Sequence, residues 1–553
     1  MPDLHTEQIE DDWLEFSCVS CFGRTVNVRK EWLESIGLDS PMTRILPICS
    51  NFWRALPGYS RAISLLIIGF SLLRFALAAI VPLLPQEAYY WTWSRFPDWS
   101  YFDHPPLASY SIALTTAVFG QTAFGIKSAA VLWSIGWNLL WARLILDMFG
   151  DRRLAFWSLL ALNLTIVYEV LGFGPTPDGP LLFAWVGTIW AVWRLSATAQ
   201  GRWWFVAGTF MGLAWLGKYS GALLGPIVLL YLLTSARQRF WLAKPQPYLA
   251  FILAIVVFSP VLIWNSQHEW VSLAFQSSRR LGEMGGFKPQ YFLMLAAQQL
   301  LIVTPYLFVV SIAALVRELR GWFAPGIDDP TRLLLISGAV PLLLFTAFSF
   351  RSIVKINWLA PAFWPLIILG IRHLLAHGHR ERRMVWGLMS SAAVLAIGAA
   401  VSVIPNLPIP GDLNSWSGFR EAAARVERLE ASIKAEGKES FVFSPHYKVS
   451  SLIWFHRAGQ GRTYAQDIYG EKALEYDYFP DGHDLKGATG ILVITDQSQS
   501  KLDFERLKAF FDSIELADVV ETTSSGKTVR RIEIYKVANY KGRPHRVESV
   551  TVH

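Results

Sequence analysis

The stretch Gln86-Glu87-Ala88-Tyr89-Tyr90-Trp91 stands directly after the first long apolar segment, and Tyr101-Phe102-Asp103-His104-Pro105-Pro106 follows it after a short loop. The apolar segment predicts a membrane helix, because a span needs roughly 20 mostly apolar residues. Acidic side chains at the end of such a helix are costly in a bilayer unless they are paired or used. The two stretches therefore predict a functional site on an aromatic, acidic loop, 84–126, at a membrane surface.

The composition sets the class of protein. Of 553 residues, 53% are hydrophobic and only 17% are charged, which is typical of a polytopic membrane protein. We predict an α-helical polytopic membrane protein of about 11 to 13 transmembrane helices. The predicted spans are 62–83, 127–149, 153–172, 179–198, 203–217, 219–235, 247–264, 290–316, 332–350, 358–377 and 385–405.

The orientation of the spans follows from the basic residues of the short loops, which resist translocation. The segment 107–120 could be an interfacial or re-entrant helix as easily as a span, and it decides the register of all later loops. If it lies outside, the inside loops carry most of the basic residues: Arg152, Arg153, Arg194, Arg202, Arg237, Arg239, Lys244, Arg317, Arg320, Arg372, Arg380, Arg382 and Arg383. We therefore predict a cytoplasmic N-terminal tail (1–60), a transmembrane domain (61–405) and an extracytoplasmic C-terminal domain (406–553).

This register places charged residues from several separate loops at the outer face: Glu87, Asp103, His104, Asp178, Lys218, His268, Arg279, Arg280 and Lys355. Each also has a structural interpretation. Asp178 could cap the helix that follows it, and Lys218 could reach out to the interface as a lone Lys at a helix end. The Arg279-Arg280 pair could be an ordinary solvated loop pair. Glu169 is better explained as satisfied within the helix bundle than as catalytic.

Two carboxylates, several cations and a lipid-facing position fit glycosyl transfer from a polyprenyl-phosphate sugar. One carboxylate would take a proton from the acceptor hydroxyl as it attacks the anomeric carbon, and cations would stabilise the leaving phosphate. Lys and Arg suit phosphate binding. The isoprenoid tail of the donor would stay in the membrane, which explains a site at the bilayer surface.

The order of the motifs resembles the C-type glycosyltransferases of the protein mannosyltransferase and lipid A aminoarabinose transferase kind, including the rhizobial galacturonosyltransferases. The matching motifs cover about residues 60 to 400: Gln86-Glu87, Tyr101 to Pro106, Thr176-Pro177-Asp178-Gly179-Pro180, Gly212 to Tyr219, Pro260 to Asn265 with His268 and Trp270, and Asn357 to Pro361. The resemblance implies the C-type glycosyltransferase fold and an inverting transfer.

The resemblance also implies the roles of individual residues. Glu87 and Asp178 would be catalytic, and the substrate-binding residues would be Tyr89, Tyr101, Asp103, His104, Lys218, Tyr219, His268, Arg279, Lys355 and Asn357. The chain departs from the family at two positions. Gln86 stands where the family often has Asp, and a neutral amide cannot act as a base. His104 stands where the aminoarabinose transferases have Lys. A phosphate contact at His104 would therefore depend on pH, or Lys218 or Lys355 would replace it.

The sequence leaves the need for a divalent metal open, and it indicates no other cofactor. Some relatives hold a divalent metal near the position of Asp103, and Asp103, His104 and His268 could do so here, but no tight ligand spacing indicates it. A structural zinc site at Cys18 and Cys21 is disfavoured, because neither a second Cys pair nor a suitably spaced His pair accompanies them.

The chain after Gly411 alternates helical patterns with short apolar runs such as Phe441-Val442-Phe443 and Ile491-Leu492-Val493-Ile494, and so predicts a small α/β domain. It lacks a glycine-rich phosphate loop, which argues against a nucleotide site. Acceptor binding, a lid over the site and a purely structural cap all remain open for it.

The expected partners are the polyprenyl-phosphate sugar donor, a glycan, lipid or protein acceptor, and membrane lipids. The net charge of +7 does not indicate nucleic acid, because the basic residues fall largely on the inner loops. A secondary transporter should have charges near the midplane of the membrane, in repeated halves of the chain, but the charges here are predicted at the outer face. A lipid-linked oligosaccharide ligase should have a large outer loop late in the chain, but the acidic motif here lies in the first loop. A non-catalytic sugar-lipid binding protein or a lipid-linked sugar transporter is the alternative function. The expected location is the bacterial inner membrane.

Overall fold

The computed structural model describes residues 13–17, 25–29, 58–279, 285–322, 327–377, 380–404, 417–480, 484–496, 502, 504–524 and 526–542. The chain divides into two compact units, residues 1–64 and 65–553. In the first unit, strands β1 (Trp13–Ser17) and β2 (Thr25–Arg29) form an antiparallel ribbon in which Phe16 lies opposite Val26. The sequence interpretation of this tail included no strands, although the β-branched residues of β2 favour extended backbone.

Helices dominate the chain up to residue 403. The described α-helices are Gly58–Ile80, Pro85–Ser94, Leu107–Phe119, Ala123–Phe149, Arg152–Asn163, Ile166–Phe173, Asp178–Thr198, Arg202–Gly217, Leu224–Thr234, Gln246–Gln267, Val271–Ala274, Pro289–Ile302, Pro305–Arg320, Asp329–Ser349, Ala360–Leu375 and Glu381–Val403. Shorter 3-10 turns occupy Tyr219–Leu223, Arg239–Ala243 and Ile356–Leu359, and Phe275–Arg279 is a π-helical turn. Within the described ranges, seven helices are long and apolar enough to cross a membrane, or up to nine if two bent pairs each count as one span.

Two predicted spans differ from the structure because the helix breaks inside them, and two others, 203–217 and 219–235, are not among the seven helices or the two bent pairs of the described ranges. The segment predicted as 153–172 consists of two helices bent by 75°, and the segment predicted as 290–316 consists of two helices bent by 114°. At the first break the Thr165 side chain caps the second helix by accepting from the Tyr168 N–H. At the second, Thr304 has φ +68° and Pro305 begins the next helix. Proline at this position cannot continue the preceding hydrogen-bond ladder, so the chain turns.

Residues 417–542 form a mixed α/β fold. Its helices are Phe419–Ala435, Tyr447–His456 and Phe504–Lys508, and its strands are β3 (Ser440–Phe443), β4 (Thr463–Tyr464), β5 (Thr489–Thr495), β6 (Ser513–Ser524) and β7 (Lys527–Ala538). The strand order is β4-β3-β5-β7-β6. Strand β3 pairs in parallel with β4 and β5, whereas β7 pairs antiparallel with β5 and β6.

The two faces of this sheet have different surroundings. On one face, aromatic residues such as Phe443 and Phe511 form a core within the α/β fold. On the other, Ile491 and its neighbours belong to a buried cluster that also contains Tyr89 and Trp91 of the Pro85–Ser94 helix. The α/β fold is therefore packed directly against the first loop of the helical domain.

A buried polar network joins four helices of the helical domain. The fully buried Arg74 guanidinium donates to both carboxylate oxygens of Glu169, at 3.2 and 2.5 Å, and to Asn163 Oδ1 at 2.6 Å. Asn163 Nδ2 in turn donates to Asn138 Oδ1 at 2.7 Å. The interpretation of Glu169 as a residue satisfied within the bundle is confirmed. At Gly172 a Cβ would lie 2.5 Å from Arg74 Nε, so the absence of a side chain there makes room for the guanidinium.

Arg74→Leu should destabilise the protein by about 3–5 kcal/mol, because it leaves the buried Glu169 carboxylate without its cation. The double variant Arg74→Leu/Glu169→Leu should recover most of this loss, since it removes both charges. Thermal unfolding of the purified full-length protein in nanodiscs measures both effects. Arg61→Leu, an exposed arginine on the same helix, is the control; a wild-type Tm for Arg74→Leu would contradict the network's role.

Candidate active site

Asp178 lies at the beginning of the helix Asp178–Thr198, after the rigid stretch Gly174-Pro175-Thr176-Pro177. Its carboxylate is 3% exposed. Oδ1 accepts a hydrogen bond from Lys218 Nζ at 2.8 Å, and Oδ2 accepts one from Asn357 Nδ2 at 2.6 Å. The carboxylate therefore links three segments that are far apart in sequence, in addition to the favourable position of a negative charge at a helix N-terminus.

Lys218 follows the last residue of the helix Arg202–Gly217 and has an extended backbone. Its side chain is buried and turned toward Asp178. Gly217 makes this close approach feasible, because a Cβ there would lie 2.8 Å from the Leu181 backbone nitrogen. The ion pair, rather than an outward-reaching Lys, is the conformation of Lys218 in the structure.

Lys355 lies two residues before Asn357 in the sequence. It precedes the 3-10 turn Ile356–Leu359, which carries Asn357, and its side chain is exposed. The carbonyl of Ile356 accepts from Gln299 Nε2 at 2.8 Å, which anchors the turn to the helix Pro289–Ile302. Lys355 is an exposed cation on the segment that leads to Asn357, and solvent or a ligand can reach it.

A second polar group surrounds Asp103. The Tyr89 hydroxyl donates to Asp103 Oδ2, and the Asp103 carbonyl accepts from Gln276 Nε2 at 2.8 Å. The backbone N–H of Glu475, from the α/β fold, donates to the Tyr89 hydroxyl oxygen at 3.0 Å. Burial, and then the charges of Asp103 and Glu475, raise the pKa of Tyr89, so its hydroxyl stays protonated as a donor.

Tyr90 is under the influence of both carboxylates. It is buried. Burial raises the pKa of Tyr90, and the negative charges of Asp103 and Asp178 raise it further, because both carboxylates act on the same phenol. The charges of Asp103 and Asp178 thus both act on the Tyr90 hydroxyl.

Glu87 is held differently. Its carboxylate is 2% exposed and accepts from Lys127 Nζ at 2.8 and 2.5 Å. Oε2 also accepts from the Leu84 N–H at 2.8 Å, so the Glu87 side chain satisfies a backbone donor at the start of the helix Pro85–Ser94. A Cβ at Gly174 would lie 3.2 Å from Glu87 Oε1. The Glu87–Lys127 pair therefore packs against the stretch that leads to Asp178.

The remaining predicted residues surround these groups. Tyr219 bonds to Ser272 Oγ at 2.8 Å, and Ser272 Oγ donates to the Phe102 carbonyl at 2.7 Å. The Tyr101 hydroxyl donates to the Trp93 carbonyl at 3.1 Å and closes the first loop on itself. The His268 ring stacks on Trp264 with centroids 4.0 Å apart, and Nδ1 contacts the Trp264 carbonyl at 2.8 Å.

His104 and the arginine pair complete the set. The His104 ring lies edge-on to Tyr90, with centroids 6.2 Å apart. Arg279 ends the turn Phe275–Arg279, and nothing is described of its side chain; Arg280 lies outside the described residues. Within the described part of the chain, no three His, Cys, Asp or Glu side chains are grouped to hold a metal ion, and Asp103, His104 and His268 form no such group.

The sequence interpretation missed four contributors: Lys127, Tyr90, Gln276 and Glu475. Lys127 carried a usable signal, because an ionisable residue in an apolar helix calls for a partner. Tyr90 stood within the quoted motif without a role. Gln276 and Glu475 carried no local signal, since their contacts with the first loop span 173 and 373 residues of sequence.

Comparisons with known proteins define the class. Residues 103–264 match the model of the family described as dolichyl-phosphate-mannose-protein mannosyltransferase. The structure superposes on the crystal structure of apo ArnT from Cupriavidus metallidurans with a TM-score of 0.56 and 15% identity. The superposition covers 85% of this chain and 97% of the ArnT chain. The chain thus has the polytopic fold of ArnT. The predicted resemblance to C-type glycosyltransferases is confirmed.

Two relatives and one further solved structure show which particular enzymes the chain is similar to. The lipid A galacturonosyltransferase RgtD of Rhizobium johnstonii is 24% identical over 441 residues, which are 78% of this chain and 90% of that protein. The undecaprenyl phosphate-alpha-4-amino-4-deoxy-L-arabinose arabinosyl transferase of Pseudomonas savastanoi pv. phaseolicola is 30% identical over 221 residues, 35% of this chain and 40% of that protein. ArnT from Cupriavidus metallidurans has also been solved bound to undecaprenyl phosphate.

Lys127→Met should lower stability by about 3–5 kcal/mol, because it leaves the Glu87 carboxylate buried without a cation. Glu87→Gln/Lys127→Met should recover most of the loss, since the amide carries no charge and still accepts from the Leu84 N–H. Thermal unfolding in nanodiscs checks both. An equal Tm deficit in the single and double variants would show that packing, rather than the unpaired charge, is responsible.

Proposed function

We propose that this protein is a membrane glycosyltransferase that moves a sugar from a polyprenyl-phosphate donor to a lipid, glycan or protein acceptor. The proposal rests most on the arrangement of Asp178 with Lys218 and Asn357, which brings a carboxylate and a cation from separate segments together. The names of the relatives favour a sugar of the galacturonosyl or aminoarabinosyl kind and an acceptor in lipopolysaccharide.

Asp178 is the first candidate for the base. It would accept the proton of the acceptor hydroxyl as the oxygen forms its bond to the anomeric carbon and the bond to the donor phosphate breaks. General-base assistance of this kind contributes about 10²–10⁴-fold. Its carboxylate meets a cation and an amide from two separate segments, Lys218 and Asn357, which supports Asp178 as the first candidate.

Glu87 is the second candidate, and the family resemblance implies a catalytic role for it. Both of its oxygens contact Lys127, and the pair is buried. An acceptor hydroxyl would reach Glu87 only after this pair opened, as it would reach Asp178 only after the contact with Lys218 or Asn357 opened. The more economical role for Glu87 is to hold the first loop against Gly174, and so to fix the approach of Asp178.

The leaving phosphate would be stabilised by lysines. Lys218 already touches Asp178, so a phosphate beside it would lie next to the reacting carboxylate. Lys355 is exposed and able to turn toward a ligand. Charge-assisted hydrogen bonds from such cations strengthen as negative charge grows on the phosphate during bond breaking.

We propose the bacterial inner membrane as the location, with a cytoplasmic N-terminus and the site and the α/β fold at the periplasmic face. The helices able to span a membrane agree with an integral protein. The basic loops support this orientation.

Asp178→Asn should reduce sugar transfer at least about 100-fold per amount of folded protein, because the amide cannot accept the proton. The Tm is measured beside the activity, since the substitution leaves the buried Lys218 without its counter-charge. The assay uses a panel of radiolabelled polyprenyl-phosphate sugars with membranes that contain wild-type protein or the variant. Asp147→Asn is the matched control, since Asp147 is an ion-paired carboxylate near the other end of the helix that carries Lys127. Consumption of no donor by the wild type would favour a binding or transport function instead.

Lys355→Met should reduce kcat/KM for the donor by about 10-fold or more, since a charge-assisted contact to phosphate contributes about 1.5–3 kcal/mol. Lys244→Met, an exposed lysine in a loop predicted to be cytoplasmic, is the control. Steady-state kinetics at varied donor concentration measures both. Equal effects of the two substitutions would remove Lys355 from the proposed phosphate site.

A further inference from the structure

The loop Leu474–Asp477 of the α/β fold is built into the wall of the candidate site. It forms a 3-10 turn between the helix Tyr447–His456 and strand β5. Leu474 has φ +56°, a conformation that costs a non-glycine residue of order 1–3 kcal/mol. The strained residue directly precedes Glu475, which is 3% exposed. A turn that keeps this conformation must be held by its surroundings.

Glu475 contacts the first loop through both its backbone and its side chain. Its N–H donates to the Tyr89 hydroxyl oxygen at 3.0 Å, and its Oε2 accepts from the Phe102 N–H at 2.6 Å. Tyr89 donates to the Asp103 carboxylate, and Phe102 is the residue before Asp103. Both neighbours that fix Asp103 are therefore held by one residue of the α/β fold.

Aromatic packing reinforces these two hydrogen bonds. The Tyr89 ring lies 4.5 Å from the ring of Tyr447 and nearly parallel to that of Tyr476, at 6.3 Å. The Phe102 ring stacks on Tyr478 at 5.4 Å. The two residues that carry the contacts to Glu475 are thus covered by rings of the same α/β fold.

The charges around Glu475 suggest a positioning role. Burial raises the pKa of Glu475 most, the Phe102 N–H lowers it, and the carboxylates of Asp103, Asp98 and Asp477 raise it again. No cation pairs with the Glu475 side chain among the described residues. Burying a carboxyl group beside other carboxylates costs more free energy than burying an apolar residue at the same place. The presence of Glu475 is explained if its hydrogen bond to the Phe102 N–H has a function.

We propose that Glu475 is a positioning residue that holds Asp103 in the candidate site, so that the α/β fold completes the site rather than merely covering it. The catalytic part of this inference rests on the proposed glycosyl transfer, whereas the positioning part does not. Asp103 can orient a substrate hydroxyl only if Tyr89 and Phe102 keep their places. Glu475 contacts both of them, although it lies 373 residues after Phe102 in the sequence.

Hydrogen exchange of the full-length protein in nanodiscs tests the positioning directly. Glu475→Ala should speed exchange in peptides that cover residues 98–106 about 10-fold or more, because the Phe102 N–H loses its acceptor. Glu475→Gln should stay close to the wild type, since the amide oxygen can still accept. Glu475→Asp, one methylene shorter, gives the same test if the alanine variant does not fold.

Glu430→Ala is the matched control. Glu430 also carries a partly buried carboxylate in the α/β fold, but it pairs with Arg457 within that fold at 2.6 Å. It should lower the Tm without changing exchange in 98–106. Unchanged exchange in Glu475→Ala, or the same acceleration in Glu430→Ala, would overturn the positioning.

The transfer assay then tests the consequence for catalysis. Glu475→Ala should lower kcat about 10-fold with little change in the KM for the donor, Glu475→Gln should restore most of it, and Glu430→Ala should leave it unchanged. Faster exchange with a wild-type kcat would overturn the role in the site. If the wild type transfers no sugar, the proposed function fails while the exchange result still decides the positioning.

Discussion

The ion pair between Asp178 and Lys218 is the interaction on which the rest of the site depends. A carboxylate that is 3% exposed at the end of a helix in a predominantly apolar protein is stable only with a cation and a full set of hydrogen bonds. Lys218 supplies the cation, and Asn357 binds the second oxygen. This requirement fixes the helix Asp178–Thr198, the end of Arg202–Gly217 and the turn Ile356–Leu359 relative to one another.

The same requirement recurs twice on the approach to Asp178. Arg74 neutralises Glu169, and Lys127 neutralises Glu87. Gly172 and Gly174 stand where a Cβ would meet Arg74 and Glu87 respectively. Buried ion pairs contribute little net stability compared with apolar packing, but breaking one is severely destabilising. They therefore select one arrangement of the chain, which is what a site built from separate loops requires.

Sequence reasoning predicted the helical membrane class because apolar runs of about 20 residues have few alternative explanations. It also selected Asp178, Lys218 and Asn357, since polar motifs at the ends of apolar segments are rare and costly. The sequence did not predict the helix breaks at Thr165 and Thr304, because both residues lie within continuous apolar patterns. The contacts of Glu475 with Phe102 and Tyr89 could not be predicted, since they depend on how the α/β fold packs against the first loop.

The number of membrane crossings and the side on which the site faces remain predictions from charge and length. The assignment of Asp178 to the chemical step is the central claim, and single-turnover kinetics with saturating radiolabelled donor tests it most directly. Asp178→Asn should bind the donor with a Kd near that of the wild type and slow the transfer step at least about 100-fold. A variant with weakened donor binding and an unchanged transfer step would contradict the account, because Asp178 would then bind the substrate without taking part in the reaction.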